Sequence, residues 1–126
     1  MPVPAFGVVE PAAKAAVEAT HSGRIGVIGT SATVRSGAFQ RCITDLRQDV
    51  QVIMQACPLF VPLVENGWID REDPVARGMA ERYLQPLREQ RIDTLILGCT
   101  HFPLLTPILS DILGEEVTLI DSGREA

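Results

Sequence analysis

Short runs of consecutive apolar residues alternate along this chain with longer stretches in which apolar residues recur at helical spacing. The runs at 5–9 (AFGVV), 24–29 (RIGVIG), 50–56 (VQVIMQA), 93–97 (DTLIL) and 117–121 (VTLID) predict strands. Glu10-Pro11 opens an alanine-rich helix after the first run, since proline suits a first helical turn, and His21-Ser22-Gly23 ends it. Thr30-Ser31 begins a helix through about Leu46, with Val34, Ala38, Cys42 and Leu46 four apart on one face. Two prolines and a glycine in 58–70 (PLFVPLVENGWID) predict a loop with one short turn. Asp73-Pro74 is an N-cap followed by proline at the first helical position. Val75, Met79, Tyr83 and Leu87 then mark an apolar face, with a kink expected at Pro86. Phe102-Pro103 starts a last helix that runs to about Leu113 and closes at Gly114. Near-continuous apolar strands alternating with helices predict an α/β fold, a doubly wound parallel sheet flanked by helices.

Composition narrows the function classes. A chain of 126 residues fits one domain with a real core, and 46% apolar with 21% charged residues is ordinary for a globular protein. The net charge is −5, no Lys/Arg cluster exists, and Trp68 and Tyr83 stand alone, which argues against nucleic-acid binding. No apolar run approaches the roughly 20 residues of a membrane helix. The opening MPVPAFGVVE has no basic segment ahead of an apolar one, so it does not read as a secretory signal. Cys42, Cys57 and Cys99 form neither a C-x-x-C pair nor a ligand spacing, which argues against disulfides and structural zinc. A soluble, cytoplasmic protein with reduced thiols is the expectation.

In open α/β sheets, ligands bind outside the carboxyl ends of the strands. The residues expected there are Glu10, the segment Gly29 to Thr33, Cys57, and Gly98-Cys99-Thr100-His101. The last is the sharpest signal. A thiol between a strand and a helix start feels the positive end of the helix dipole, and His101 stands two residues on to give or take a proton. A buried, merely packing cysteine is the plainer alternative for Cys99. Thr30, Ser31 and Thr33 offer hydroxyls to a carboxylate or phosphate, and equally suit plain N-capping. Gly26-x-x-Gly29 lacks the dinucleotide spacing, and no phosphate-binding glycine loop with lysine occurs. Glu65 could assist His101 or relay protons, although a solvated loop glutamate is the ordinary case. Pro58 and apolar neighbours suit Cys57 to packing, and Cys42, on the apolar face of its helix, reads as core.

Five blocks together resemble the glutamate racemases of the aspartate/glutamate racemase family. They are GVVEPAAKAAV (7–17), IGVIGTSATVRSGAF (25–39), CPLFVPLVENG (57–67), LILGCTHFPLL (95–105) and IDSG (120–123). The resemblance implies two α/β domains with the amino-acid substrate in the cleft between them. It makes Cys99 one of two catalytic thiols, His101 its companion and Glu65 an assisting carboxylate. It places Thr30, Thr33, Thr100 and His101 against the substrate. One thiolate removes the Cα proton and a thiol on the opposite face returns one, with no metal or organic cofactor implied.

The family's other cysteine sits in a Cys-Asn-Thr motif that follows an Asp-Ser-Gly near the N-terminus, and this sequence contains no Cys-Asn-Thr. The resemblance thus makes residues 1–115 one racemase domain and 116–126 the start of the return to the other. The N-terminal half of the same enzyme is then the partner, and this chain alone holds half an active site. Further implications are supply of D-glutamate for peptidoglycan and a homodimer as an open option. Alternatives are an aspartate or hydantoin racemase, or an inactive domain that binds ligand or dimerises. One methylene of substrate length is worth only about 1–3 kcal/mol, so half a pocket does not separate glutamate from aspartate. For a purely structural domain, replacing Cys99 would change stability but no ligand response.

Overall fold

All strand pairing is parallel in the computed structural model, which describes residues 5–99 and 102–122. The strands are β1 (Arg24–Gly29), β2 (Gln51–Ala56), β3 (Thr94–Leu97) and β4 (Thr118–Asp121), in the order β2-β1-β3-β4. Ile25 of β1 lies opposite Val52 on one side and Thr94 on the other, and Leu97 of β3 lies opposite Asp121 of β4. Every residue of β3 is buried, as expected of a strand covered on both faces.

The helices divide between two cores. On one face, α1 (Ala5–Ala19) and α3 (Ala38–Leu46) pack Val9, Ala12, Ala13, Ala16, Phe39 and Ile43 against Ile25, Val27, Ile96 and Ile120. On the other, α4 (Phe60–Glu65), α5 (Pro74–Glu89) and α6 (Thr106–Leu113) cover Ile28, Leu95 and Leu97. The doubly wound α/β expectation therefore holds. The sheet includes β4, which pairs with β3 at its edge.

Several local expectations change. Residues 5–9 belong to α1, not to a strand. A short apolar run cannot be assigned by periodicity alone, and the buried Val9, Ala12, Ala13 and Ala16 show that the helical period already begins there. Pro11 consequently stands inside the helix rather than in its first turn.

The helix expected from Thr30 to Leu46 is two helices, α2 (Ser31–Ser36) and α3, broken at Gly37. Gly37 has φ 67°, a left-handed conformation that favours glycine. The break rotates the face: Phe39 and Ile43 are buried, whereas Leu46 is 46% exposed and Cys42 only partly covered. The 58–70 loop contains a six-residue helix, α4.

In α5, Asp73 caps as expected, accepting from the Val75 and Ala76 N–H groups. The buried stripe is Ala76, Ala80, Leu84 and Leu87, with Met79 and Tyr83 at its margin and Val75 exposed. The helix runs on through Pro86 to Glu89. The helix expected from Phe102 opens instead with a 3₁₀ turn (Phe102–Leu105), and α6 begins only at Thr106.

Asp93 ties the amino end of β3 to the end of α1. Its carboxylate accepts from Thr20 Oγ1 (2.6 Å), His21 N (2.7 Å), Ser22 N (2.7 Å) and Thr94 Oγ1 (3.0 Å). Burial raises this carboxyl, but those hydrogen bonds outweigh it and hold the group well below the usual carboxylate range.

Candidate active site

The strand order identifies the position of a site before any side chain is considered. From β1 the chain moves outward to β2, then crosses back past β1 to β3, so the order reverses between β1 and β3. A crevice outside the carboxyl ends of those two strands is where open α/β sheets bind ligands. The segments that leave β1 and β3 there are Gly29–Thr33 and Gly98–Cys99.

Their separation is fixed by backbone. The Gly98 N–H donates to the Ile28 carbonyl (2.8 Å), and a Cβ on Gly98 would lie 2.7 Å from that oxygen and 3.3 Å from the Phe39 ring. Only glycine allows the exit of β3 this close to β1. Cys99 follows at once, half-buried against the α4–α6 core, and its carbonyl accepts from the Phe102 N–H (3.1 Å). Because α6 starts at Thr106, the dipole expected to act on Cys99 is that of a short 3₁₀ turn and not of a full helix.

On the β1 side, Thr30 caps α2 by accepting from the Thr33 N–H (3.2 Å), and the two threonine hydroxyls stand 3.1 Å apart. The capping role is thus real, and both threonines remain only partly covered. A cavity of about 200 Å³ joins the two segments, lined by Thr33 and Gly98 together with Val9, Ala32, Ser36, Ala38 and Phe39. Four larger hollows lie elsewhere among the described residues. One of about 340 Å³ runs along α4 and α5 past Trp68, and one of about 370 Å³ lies at the amino ends of β3 and β4. Neither lies at the strand order's reversal, and the other two, of about 310 and 270 Å³, lie along α3, the smaller of them lined by Cys42.

The remaining candidates separate. Cys57 is fully buried beneath α4 and α5, its thiol faces the Gln55 carbonyl (3.8 Å), and burial pushes it far above the ordinary thiol range. This is a packing cysteine. Cys42 lies on α3, where partial burial and then the neighbouring Glu10 and Asp45 raise its thiol. Glu65 is exposed at the last position of α4, and Glu10 is exposed within α1 instead of ending a strand. Thr100 and His101 lie outside the described residues.

Sequence reasoning missed two contributors to the site. Val9 reaches the cavity because α1, not a strand, covers this edge, and the spacing Val9, Ala12, Ala13, Ala16 was the available signal. Phe39 reaches it through the turn at Gly37. Among the described residues, no group of three or more His, Cys, Asp or Glu side chains could hold a metal ion, and no helix is long and apolar enough to cross a membrane.

Comparison with known proteins agrees with the fold and with the sequence blocks. A family model described as Asp/Glu/Hydantoin racemase matches residues 1–126. The chain is 51% identical over 123 residues to a glutamate racemase of Geobacter metallireducens, covering 98% of this chain and 45% of that protein. Among solved structures, glutamate racemase isoform RacE1 from Bacillus anthracis aligns with a TM-score of 0.88 and 40% identity, over 94% of this chain and 44% of that one. The Francisella tularensis glutamate racemase, solved in complex with D-glutamate, gives a TM-score of 0.84 at 30% identity, over 94% and 42% of the two chains. The chain thus spans a little under half the length of these relatives. With the family match running through every residue, and relatives near half identity agreeing with it, this chain belongs to the Asp/Glu/hydantoin racemase family.

Proposed function

We propose that these residues form one wall of a glutamate racemase active site, with Cys99 as the proton-transfer thiol for one face of the substrate. The observation that carries this reading is the seating of Cys99 at the reversal of the strand order. There it directly follows Gly98, which with Thr33 lines a cavity of about 200 Å³. Inverting a stereocentre needs two groups, because a proton leaves one face and arrives on the other. Cys99 as thiolate takes the Cα proton, leaving a carbanion that a thiol on the opposite face reprotonates; the reverse direction exchanges their roles. In this reading the second thiol comes from the other half of the enzyme, since Cys57 is sealed in the core and Cys42 lies on α3. The coverage of relatives by less than half their length supports that division.

Thr30 and Thr33 donate to the substrate carboxylate, together with Thr100 and His101. His101 also serves Cys99, and Glu65 assists from α4. Glutamate is the substrate assigned here because relatives named as glutamate racemases reach about half identity. Aspartate and hydantoin remain the other chemistries in the family's description. The cellular role that follows is supply of D-glutamate to the cell wall, in the cytoplasm.

An amide NMR titration with D-glutamate tests the wall. The resonances of Thr33 and Gly98 are expected to shift together, and Thr33→Val to weaken the effect about 3- to 10-fold, the worth of one hydrogen bond. Shifts confined to the groove beside Trp68, or to the amino ends of the strands, would overturn the reading.

A further inference from the structure

The carboxyl end of β3 is held from both sides. On the β1 side, Gly98 N–H donates to the Ile28 carbonyl at 2.8 Å. On the β4 side, the Ser122 hydroxyl donates to the Leu97 carbonyl at 2.7 Å. Ser122 directly follows Asp121, the residue opposite Leu97 in the β3–β4 register, so its side chain extends the ladder one step past the end of β4. It is 2% exposed, and this bond is the one that satisfies its hydroxyl in a setting where an unpaired hydroxyl would be costly. Leu97 is two residues from Cys99, and Gly98 between them has no side chain with which to anchor itself.

We infer that Ser122 is a positioning residue for Cys99: its hydroxyl fixes the Leu97 carbonyl, and with it the height at which the thiol leaves the sheet. The inference deepens the reading of Cys99 as a base and rests on it for its meaning in the reaction. The pinning itself is a property of the fold. Neither Leu97 nor Ser122 offers a side chain to the cavity, so the effect on any reaction passes through Cys99. Losing the hydroxyl leaves the Leu97 carbonyl unpaired on that side and removes the tie to β4. The Gly98–Cys99 segment then keeps its bonds to the Ile28 carbonyl and from the Phe102 N–H but gains freedom at its β3 end. Cys99 then becomes easier to reach, while Cys57, buried under α4 and α5, does not.

The test is alkylation by iodoacetamide, with Cys42, Cys57 and Cys99 read separately by peptide mass spectrometry, in the unsubstituted chain and in Ser122→Ala. The expected result is a Cys99 rate raised at least about threefold, with Cys42 and Cys57 rates unchanged. An unchanged Cys99 rate overturns the inference. So does a parallel rise at Cys57, which would mean that the whole domain had loosened. Should Ser122→Ala not fold, NMR of the unsubstituted chain decides: a slowly exchanging Ser122 hydroxyl proton coupled to the Leu97 carbonyl supports the pin, and its absence overturns it. These readouts need no substrate turnover. Failure of glutamate exchange at Cys99 with an intact alkylation response would therefore remove the catalytic reading and leave the pin standing.

Discussion

At the scale of single residues, the site depends on one absent side chain as much as on the thiol beside it. Gly98 is the residue between the exit of β3 and Cys99, and a methyl group there would press into the Ile28 carbonyl at 2.7 Å. Gly98→Ala is expected to cost about 1–3 kcal/mol, the usual range for overpacking a tight site. Thermal unfolding would measure that loss, and glutamate-induced shifts at Thr33 should weaken with it. Stability equal to the parent would show that β3 can retreat from β1 at no cost. The Cys99 block itself was legible in sequence, because thiol, glycine and expected strand end fall together. The closeness of Gly98 to β1 was not, since it depends on a contact between residues 70 positions apart in the chain.

At the scale of elements, the parallel sheet and the order of strands and helices followed from hydrophobic period alone. The failures share a cause: local pattern does not say which side of an element the rest of the molecule will cover. Residues 5–9 are apolar enough for a strand, yet the sheet has no place for them and α1 continues through. The α2–α3 break rests on Gly37 at φ 67°, a conformation that a helix-period reading passes over. Gly37→Ala is expected to lose about 1–2 kcal/mol, the cost of left-handed backbone for a residue with a Cβ, read as a lowered denaturant midpoint.

Asp93 supplies a second test at this scale. Its folded carboxyl sits below the usual range, so the stabilisation it provides is fully present above the unfolded value of about 3.9 and is lost as pH falls through the folded one. Asp93→Asn should therefore cost about 1–2 kcal/mol at neutral pH, the lower part of the range for charged hydrogen bonds because solvent reaches the group. The difference from the parent should shrink in strong acid. A constant difference across that range would assign the effect to shape and not to charge.

At the scale of the whole molecule, the sheet presents the carboxyl ends of β1 and β3 together, and the relatives it matches are about twice its length. A wall with one thiol and a pair of hydroxyls can take a proton from one face of an amino acid and return it to the same face. On the proposed two-thiol mechanism, inverting the centre needs a second thiol on the opposite face. That asymmetry separates a half-site from a complete one, and it can be measured. In D₂O, Cα–H exchange should be followed by NMR for L- and D-glutamate separately, with this chain and with Cys99→Ser. The expected result is exchange of one enantiomer without racemisation, and none after Cys99→Ser. Exchange of both enantiomers, exchange that survives the substitution, or no exchange of either would contradict it.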